Sequence, residues 1–514
     1  MNIGMLLELP AGMAPGQRIV GDGSRVVTYA GLRDGAGRIA VLLDELGVAR
    51  GDQVGIFGVN SIEAVEALFA IAARGAVAVP MNFRAREPEV RHLLEDSGAR
   101  VLFADGRYRE LVESVRPDHL ERVVYTEEIA DLCAAYEPAF EISYDVEDDE
   151  VAVLIYTSGT TALPKGVPLT HGGLSGFTLA GADVTSGSEV GRTLLAVPLY
   201  HVAGLSTLLL SLYAGRFVAL MPQFESGAWL EWIERERITH AFVVPTMLAK
   251  VLADERFAST DLSSLEALGY GAAPMPETVI RRALEQMPAH VAFTGAYGMS
   301  ETTSTVTVLG PDDHRAAVAT GASDETRRRL TSVGKQLEGV EIAIRDASGE
   351  AAPAGTVGDV VVRTERTLRA YWRDSGEEGR GSRDEEGWLR TGDLGYLDQA
   401  GHLFLVGRTG DMIIRGGENI APREIEEFLE THPDVVEVGV FGIPDEEWGE
   451  QVAAAVVIRD GADTHEGALI EFCRQLASFK RPSKIAVLPE LPRTSTGKLI
   501  RRELHSVFAP KVER

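Results

Sequence analysis

Apolar residues in the first half of the chain follow two spacings, one typical of buried strands and one typical of helices. Strands are predicted at "DQVGIFG", "VAVPMN" and "RVLFAD", and helices at "SIEAVEALFAIAARGA" and "REPEVRHLLEDSGA", which lie between them. The same alternation returns between Arg192 and Gly269. Strands that alternate with helices predict a mostly parallel sheet with helices on both faces.

The pattern changes from Glu338 onward. The segment "GVEIAIRDASGEAAPAGTVGDVVVRT" has short strands separated by Gly, Pro and Asp, which predicts a small antiparallel barrel or sheet. After "HLFLVGRTGD" a compact alternation restarts, with helices at "REIEEFLETHP" and "EGALIEFCRQL" and strands at "VVEVGVFGIPD" and "QVAAAVVI". We therefore expect an α/β fold with a large N-terminal domain, residues 1–409, and a small α+β C-terminal domain, residues 410–514.

Composition and net charge limit the classes of function that the protein could have. The chain has 514 residues, is 45% hydrophobic and carries a net charge of -27, from 77 acidic and 50 basic residues. That length suits two or more domains with sizeable cores. A strongly negative surface argues against nonspecific binding to nucleic acid or to an anionic membrane. The negative net charge does not exclude an anionic ligand, because local cations and backbone N–H groups bind phosphate.

Other features point to a cytoplasmic protein without a membrane span. Two cysteines, Cys133 and Cys473, are too few for a disulfide framework or a metal motif. The first residues, "MNIGMLLELPAG", lack the basic start of a signal peptide and contain Glu8. The most apolar long run, His201–Met221, contains Arg216 and several hydroxyls, so a buried hairpin or helix is favoured over a membrane helix.

One short motif is a decoy. "GAGRIA" fits the dinucleotide-binding pattern G-x-G-x-x-A, which must follow a strand and open a helix. Here it lies inside "YAGLRDGAGRIAVLLDEL", which has the spacing of one amphipathic helix. This context favours the interpretation that the glycines are small residues inside a helix and do not bind a dinucleotide.

The stretch "YTSGTTALPKG" directly follows a predicted buried strand, "EVAVLIY". Its hydroxyls, its flexible backbone and Lys165 suit the oxygens of a polyphosphate. A Walker A loop would need Gly at Pro164 and Ser or Thr at Gly166, so a P-loop NTPase is not indicated. On this stretch alone, a Ser/Thr-rich surface loop remains the alternative.

Together with six further segments, this loop resembles the adenylate-forming superfamily of acyl- and aryl-CoA synthetases, luciferases and adenylation domains. The segments are "PLYHVAG", "GYGAAPMP", "GAYGMSETT", "RTGDLGYLD", "VGRTGDMIIRGGENIAPREIE" and "LPRTSTGKLIRREL". The resemblance spans Tyr156–Leu504, and its motifs are specific for fold and family rather than for substrate. It implies a mobile C-terminal domain.

The resemblance implies an enzyme, an acid–CoA ligase that uses ATP, Mg²⁺ and coenzyme A. A carboxylate attacks the α-phosphate of ATP to give acyl-AMP and pyrophosphate, and the CoA thiol then displaces AMP. Charge develops on phosphate and carbonyl oxygens in both steps, so positioning and electrostatics should dominate catalysis. The implied partners are a small carboxylic acid, ATP and CoA, and the oligomeric state is open.

For the nucleotide, the resemblance implies roles that suit the residue types. Glu301, with Thr160, would hold Mg²⁺, which prefers oxygen ligands. Asp393 would accept the ribose hydroxyls, Arg408 would reinforce ribose and phosphate binding, and Tyr297 would stack on adenine. The remaining implied nucleotide-binding residues are Thr157, Ser158, Gly159, Thr161, Lys165, Gly271, Ala272, Ala273, Gly298 and Ser300.

The C-terminal domain is implied to supply three further functions. Lys498 would reach the reacting carboxylate and α-phosphate, where a mobile positive charge stabilises the developing charge. Gly416, Gly417 and Glu418 would line the passage for CoA, since glycines allow close backbone approach. Gly410 would be the hinge between the domains.

The acid would bind near His201, the implied catalytic or wall residue of the acyl pocket. A core histidine is the alternative for this residue. Tyr200–His201 offer no carboxylate for a substrate ammonium, which favours an acid without an α-amino group. The other implied pocket residues are Val202, Gly204, Tyr270, Gly295 and Ala296. The small residues Gly204, Gly271, Gly295 and Ala296 suggest room for a bulky aryl, alicyclic or polycyclic acid.

Two positions depart from the family pattern. Ala162 stands where the loop usually has Gly, and Gly410 stands where the linker usually has Asp or Lys. These departures motivate an alternative, an enzyme that adenylates weakly and mainly transfers to CoA an acyl-adenylate made by an upstream enzyme. A noncatalytic binding protein and a luciferase-like oxygenase are further alternatives that the retained Lys498, Glu301 and Asp393 do not favour.

Overall fold

The structure is a computed structural model that describes residues 1–143, 145–157, 163–373, 383–416, 418–459, 461–493 and 499–508. Within these ranges the helices are α1 Met5–Met13, α2 Tyr29–Glu45, α3 Ile62–Ala73, α4 Glu87–Ser97, α5 Arg109–Val115, α6 Ile129–Leu132, α7 His171–Gly181, α8 Val202–Ala214, α9 Ser226–Arg235, α10 Pro245–Ala253, α11 Glu277–Gln286, α12 Pro311–Val318, α13 Asp324–Arg328, α14 Pro422–Leu429, α15 Glu466–Phe472 and α16 Arg501–Leu504. Across the described part of the chain, every helix falls short of the length and apolarity that a membrane crossing requires.

The strands of the described residues form four sheets. They are β1 Arg18–Gly21, β2 Val26–Thr28, β3 Gln53–Phe57, β4 Val77–Met81, β5 Val101–Ala104, β6 Arg122–Tyr125, β7 Val151–Thr157, β8 Lys165–Thr170, β9 Arg192–Leu195, β10 Phe217–Leu220, β11 His240–Val243, β12 Ala267–Gly271, β13 Ala292–Met299, β14 Ser304–Leu309, β15 Lys335–Gln336, β16 Glu341–Arg345, β17 Gly358–Arg363, β18 Leu389–Leu397, β19 Leu403–Arg408, β20 Ile413–Arg415, β21 Glu418–Ile420, β22 Val435–Asp445, β23 Gly449–Ile458 and β24 Lys484–Val487.

The two large sheets are mostly parallel, as the alternation of strands and helices predicts. One has the order β6-β5-β3-β4-β7-β8, parallel up to β7 and closed by antiparallel β8. The other has the order β15-β14-β13-β12-β11-β9-β10-β1-β2 and is parallel from β13 to β1. Buried aliphatic residues on α2, α3 and α8 pack between and around these sheets. The long apolar run after His201 is α8 followed by β10, so the prediction of a buried element is confirmed.

The third and fourth sheets confirm the change of pattern after Glu338. The order β16-β17-β18-β19 is a small antiparallel sheet. The last sheet, β21-β20-β23-β22 with β24 beside β23, has its own core, which contains Ile413, Ile425 and Val440. Helix α14 ends at Leu429, four residues before Pro433, where the predicted helix ended.

The decoy glycines lie inside α2, as expected. A side chain at Gly37 would meet the backbone of Ala139, and a side chain at Gly35 would meet the carboxylate of Glu66 on α3. These glycines therefore allow close packing of α2 against its neighbours.

Candidate active site

Asp393 and Arg408 form a fixed ion pair at the edge of the third sheet. They are cross-strand neighbours on β18 and β19, and Arg408 Nε lies 3.1 Å from Asp393 Oδ1. The hydroxyl of Tyr297, on β13, donates to Asp393 Oδ2 at 2.7 Å. Burial and the Asp393 carboxylate raise the pKa of Tyr297 well above its ordinary value, so the phenol keeps its proton and donates. Each carboxylate oxygen has a second lone pair, which suits it to a pair of ribose hydroxyls.

Glu301 lies on a tight turn between β13 and β14. The turn, Ser300–Thr302, is a single 3₁₀ helix, and Glu301 is only 1% exposed. The next two residues, Thr303 and Ser304, have φ angles of 52° and 106°, values that cost energy for residues with side chains. The Thr302 hydroxyl holds this geometry, since it accepts from Met299 N at 3.2 Å and donates to Ser304 O at 2.8 Å. Strain of this kind is typical of a functional turn.

Gly298, near the end of β13, and Ser300, the first residue of the turn, precede the glutamate. Ser300 is buried, and Gly298 lies where β13 and β14 slip in register. A side chain at Gly298 would collide with the Ser304 carbonyl. The glycine is therefore required by the turn itself.

Tyr371 joins two residues that the sequence indicated separately. Its hydroxyl donates to Glu301 Oε1 at 2.9 Å, and Lys165 Nζ lies 5.4 Å from the centre of its ring. The structure therefore brings the lysine of the predicted phosphate loop and the predicted metal ligand to one aromatic side chain. Sequence reasoning missed Tyr371, because neither contact follows from spacing along the chain.

The stems of the predicted phosphate loop are anchored. Thr157 and Lys165 are register partners at the ends of β7 and β8. His92 Nε2, on α4, lies 2.9 Å from the Pro164 carbonyl, and the Tyr156 hydroxyl donates to Asp96 Oδ2 at 2.6 Å. The predicted residues Ser158, Gly159, Thr160 and Thr161, and the unusual Ala162, lie outside the described residues. Helix α4 supplies anchors that carry no motif of their own.

Gly271 is the last residue of β12, and Ala272 and Ala273 follow it, at the strand end where a parallel sheet commonly binds ligands. Ala272 has φ 67°, a left-handed conformation that costs a residue with a Cβ about 1–2 kcal/mol. The backbone of this segment is thus held in an unusual shape at the edge where a nucleotide is expected.

Two of the predicted acyl-pocket residues, Tyr270 and Gly295, lie together on one face of the second sheet. Tyr270 and Gly295 are register partners on β12 and β13, so their side-chain positions share a face. The Tyr270 hydroxyl is 2.8 Å from His314 Nε2 on α12, and a side chain at Gly295 would meet the Tyr270 ring. Successive residues of a strand alternate between the two faces of the sheet. The face opposite to Tyr270 and Gly295 therefore carries Phe242, Thr294 and Ala296.

The small residues also do not open the pocket in the way predicted. A side chain at Gly204 would meet the Pro198 carbonyl, and one at Gly271 would meet the Ala296 carbonyl. The prediction of space at Gly204, Gly271 and Gly295 is therefore wrong, because backbone or ring atoms already fill it. Ala296 stays a predicted pocket residue on the face of Phe242.

His201 precedes α8, with Val202 as the first residue of the helix. The ring of His201 lies 4.3 Å from the ring of Tyr200, centre to centre, and Tyr200 in turn contacts Phe83 edge-on at 5.6 Å. The Ser211 hydroxyl of α8 donates to Thr193 at 3.0 Å, and Thr193 shares a sheet face with His240 and Phe242. Helix α8 and Phe242 therefore border the same region.

The predicted CoA segment is partly described. Gly416 has φ 59°, its N–H donates to the Trp448 carbonyl at 2.8 Å, and a side chain there would meet the Trp448 ring. Trp448 is 44% exposed, and Arg415 lies 5.8 Å from the centre of its ring. Glu418 is exposed on β21. Gly417 and Lys498 lie outside the described residues.

The residues present fit Mg²⁺ bound with a nucleotide. Groups of three or more potential metal ligands do not occur among the described residues. Mg²⁺ commonly binds through one or two carboxylates together with substrate phosphates and waters. One buried carboxylate, Glu301, near a lysine suited to phosphate matches that manner of binding.

A fold of parallel α/β sheets with this site defines an adenylate-forming enzyme. The family model described as "AMP-binding enzyme" matches residues 8–372, and the model described as "AMP-binding enzyme C-terminal domain" matches residues 424–498. The chain belongs to this family of AMP-binding enzymes.

Similar curated proteins are acid–CoA ligases. The chain is 37% identical to a feruloyl-CoA synthase of Amycolatopsis sp. over 97% of each chain. It is 34% identical to the indoleacetate–CoA ligase of Aromatoleum aromaticum over 99% of each. The structure of o-succinylbenzoate CoA synthetase from Bacillus subtilis, in complex with its acyl-adenylate, matches with a TM-score of 0.83 and 32% identity over 97% of each chain.

The anthranilate CoA ligase AuaEII, solved in complex with anthranoyl-AMP, matches with a TM-score of 0.86 and 28% identity over 99% of this chain and 97% of that one. These relatives confirm the predicted activity of an acid–CoA ligase. The protein is an AMP-forming acid–CoA ligase whose substrates are a carboxylic acid, ATP and CoA, with Mg²⁺ as cofactor. The alternative of a weakly adenylating enzyme is not favoured by these relatives.

Proposed function

We propose that this enzyme activates a carboxylic acid that carries an aromatic ring and lacks an α-amino group. Phe242 is the observation that carries this proposal. Its ring spans Gly269 and Gly271, with ring atoms 3.0 and 3.3 Å from where their side chains would begin, and it stays partly exposed. It lies on the sheet face shared with Thr294 and Ala296. A flat aromatic wall favours a ring in the substrate through offset or edge-on contact.

The similar proteins support this substrate class. The feruloyl, indoleacetate and succinylbenzoate ligases each act, by name, on an acid with an aromatic ring. A fatty acid–CoA ligase of Mycobacterium tuberculosis is also similar, at 33% identity over 99% of this chain and 100% of that relative. A linear aliphatic acid is therefore the competing substrate class, and no aromatic wall is required for it.

Adenylation would use residues from both the N-terminal and the C-terminal part of the chain. Lys165 would hold phosphate oxygens, and Asp393 with Arg408 would hold the ribose. Mg²⁺ on Glu301 would neutralise phosphate charge. Lys498 would bring a positive charge to the carboxylate and the α-phosphate as they react. Tyr297 and the strained backbone at Ala272 would border the adenine.

Thioester formation would use the C-terminal domain. Gly416 and its neighbours would pass the pantetheine arm. The exposed Trp448 ring beside them, with Arg415 and Phe479 close by, offers an aromatic surface and a cation, which suit the adenine and phosphates of CoA. Sequence spacing gave no sign of this cluster, because Trp448 reaches Gly416 from the β22–β23 hairpin.

We place the domain boundary at Gly410, the predicted hinge. Thr409 is tied to the third sheet, since its hydroxyl donates to Asp359 Oδ1 at 3.2 Å. Asp411 is tied to the C-terminal sheet through Arg501, whose Nη1 lies 2.9 Å from Asp411 Oδ2 and whose Nε donates to the Val440 carbonyl of β22 at 3.0 Å. Gly410 lies between these two anchors. We also propose a cytoplasmic location, because ATP and CoA are both available there.

A panel of acids tests the substrate class. Pyrophosphate release is measured with cinnamic, indole and benzoic acids and with linear acids of matched carbon number. The proposal predicts that the aromatic acids have the higher kcat/KM. Phe242→Leu should lower kcat/KM for them by about tenfold, because one ring contact of 0.5–1.5 kcal/mol and part of its buried area are lost. The KM for ATP should stay unchanged. A preference for linear acids, left intact in Phe242→Leu, would reject the proposal.

A further inference from the structure

One short segment connects the two halves of the nucleotide site. Residues 366–373 leave β17 of the third sheet and cross from the Glu301 turn to the phosphate-loop stem. At one end, Leu368 N donates to the Glu301 carbonyl at 2.7 Å, and the Thr303 hydroxyl donates to the Arg366 carbonyl at 2.8 Å. These contacts attach the segment to the turn.

At its other end, the same segment is attached to the stem. Trp372 N donates to the Gly166 carbonyl at 2.8 Å, one residue after Lys165, and the Trp372 indole donates to the Asp96 carbonyl at 3.2 Å. A side chain at Gly166 would meet Trp372. The segment is thus held at both ends by bonds that do not involve the side chain of Tyr371.

Tyr371 stands between these attachments and touches both functional residues. Its hydroxyl donates to Glu301 Oε1 at 2.9 Å, a bond to a charged acceptor and therefore stronger than a neutral one. Its ring faces Lys165 Nζ at 5.4 Å, within the range of a cation–π contact. The side chain is half-buried and its ring also packs against the main hydrophobic core, so only the hydroxyl and its bond to Glu301 are independent of packing.

We propose that Tyr371 is a positioning residue that sets the orientation of Glu301 and the distance between Glu301 and Lys165. The hydroxyl fixes the carboxylate for Mg²⁺, and the ring fixes the ammonium for phosphate. Metal-bound ATP therefore meets a carboxylate and a cation whose separation is set in advance, which lowers the cost of binding. This inference rests on the proposed roles of Glu301 and Lys165.

The test separates the contribution of the Tyr371 hydroxyl from that of its ring. The Kd for ATP is measured by calorimetry in the absence of the acid substrate, once with Mg²⁺ and once with a chelator. Tyr371→Phe should raise the Kd for ATP with Mg²⁺ about tenfold, because a bond to a charged group is lost. In the chelator the Kd should change less than about twofold, because the ring still faces Lys165. Tyr371→Leu should weaken binding in both conditions.

A matched control is Tyr125→Phe, which removes a Tyr–Glu hydrogen bond of 2.8 Å, to Glu113, on β6 and away from the site. It should leave both Kd values unchanged. If Tyr371→Phe instead weakens binding equally in both conditions and lowers the unfolding temperature, the role is structural and the inference is overturned.

Glu301→Gln distinguishes this inference from the proposal beneath it. If Glu301→Gln leaves Mg²⁺-dependent binding intact, the metal role of Glu301 fails and Tyr371 loses its function with it. If Glu301→Gln weakens that binding and Tyr371→Phe does not, the metal role stands and only the inference about Tyr371 is rejected. The predicted result is a loss in both variants, larger in Glu301→Gln.

Discussion

Gly410 is a single residue on which domain movement depends in this account. Thr409 is bound to Asp359 on one side, and Asp411 is bound to Arg501 on the other. Among the described residues, no atom beyond its chain neighbours lies within 4 Å of where a Gly410 side chain would begin, and its φ is not positive. A side chain is therefore tolerated there, and its absence leaves the backbone between the anchors more freedom.

Gly410→Lys is predicted to change the balance between the half-reactions without unfolding the protein. Glycine differs from other residues by about 0.5–1 kcal/mol of backbone freedom, which corresponds to a change of about threefold in the ratio of the two rates. Pyrophosphate release and CoA-ester formation from synthetic acyl-AMP are measured separately in single turnovers. Gly12→Lys, at another open position, on α1, is the control. Equal rate ratios in both variants and the wild type would contradict the hinge assignment.

Among the elements, α3 carries an ionisable group in an apolar setting. Glu66 is 7% exposed on this helix, packs against Gly35 of α2, and lies 4.0 Å from Arg25 Nη2. Burial raises its pKa to about 7, and Arg25 only partly offsets this effect. Between its ordinary pKa of 4.5 and 7, the folded state holds a proton that the unfolded state has lost.

The contribution of Glu66 to the free energy of unfolding should therefore be fully present below about pH 4.5 and should be lost as the pH rises through 7. The loss amounts to about 3 kcal/mol. Glu66→Gln removes it, so the variant should gain stability over the wild type at about pH 8 but not at about pH 5. Urea midpoints at both pH values measure this. Glu63→Gln, which removes the other α3 partner of Arg25, is the control. An equal effect of Glu66→Gln at both pH values would show that Glu66 is not protonated in the fold.

Elements and their order could be predicted from the sequence because apolar spacing is local. α2, α3, β3 and β22 follow directly from it. The sheet face on which a side chain lies, and the distant residues that it contacts, could not be predicted in this way. Tyr270 was expected in the pocket, yet the register of β12 turns it to His314. His92 and Tyr371 carry no motif, and their contacts with Pro164 and Glu301 join residues 72 and 70 positions apart. Such contacts depend on how sheets pack.

On the scale of the whole molecule, the site draws on all four sheets. The first supplies Lys165, the second Glu301, the third Asp393, and the fourth the proposed CoA surface at Gly416. Lys498, also from the C-terminal part, is the proposed charge for adenylation. We propose that this ligase completes both half-reactions in one chain, with Lys498 needed for the first and dispensable for the second.

The most direct test compares wild type and Lys498→Ala in two separate assays, pyrophosphate release from an accepted acid with ATP and Mg²⁺, and CoA-ester formation from the matching synthetic acyl-AMP. The wild type is expected to perform both reactions. Lys498→Ala should lose at least about 100-fold in pyrophosphate release, as expected when a charge-stabilising group is removed, and should keep CoA-ester formation within a few-fold. A wild type that forms the CoA ester from acyl-AMP but releases no pyrophosphate would contradict the account, as would an equal loss of both activities in Lys498→Ala.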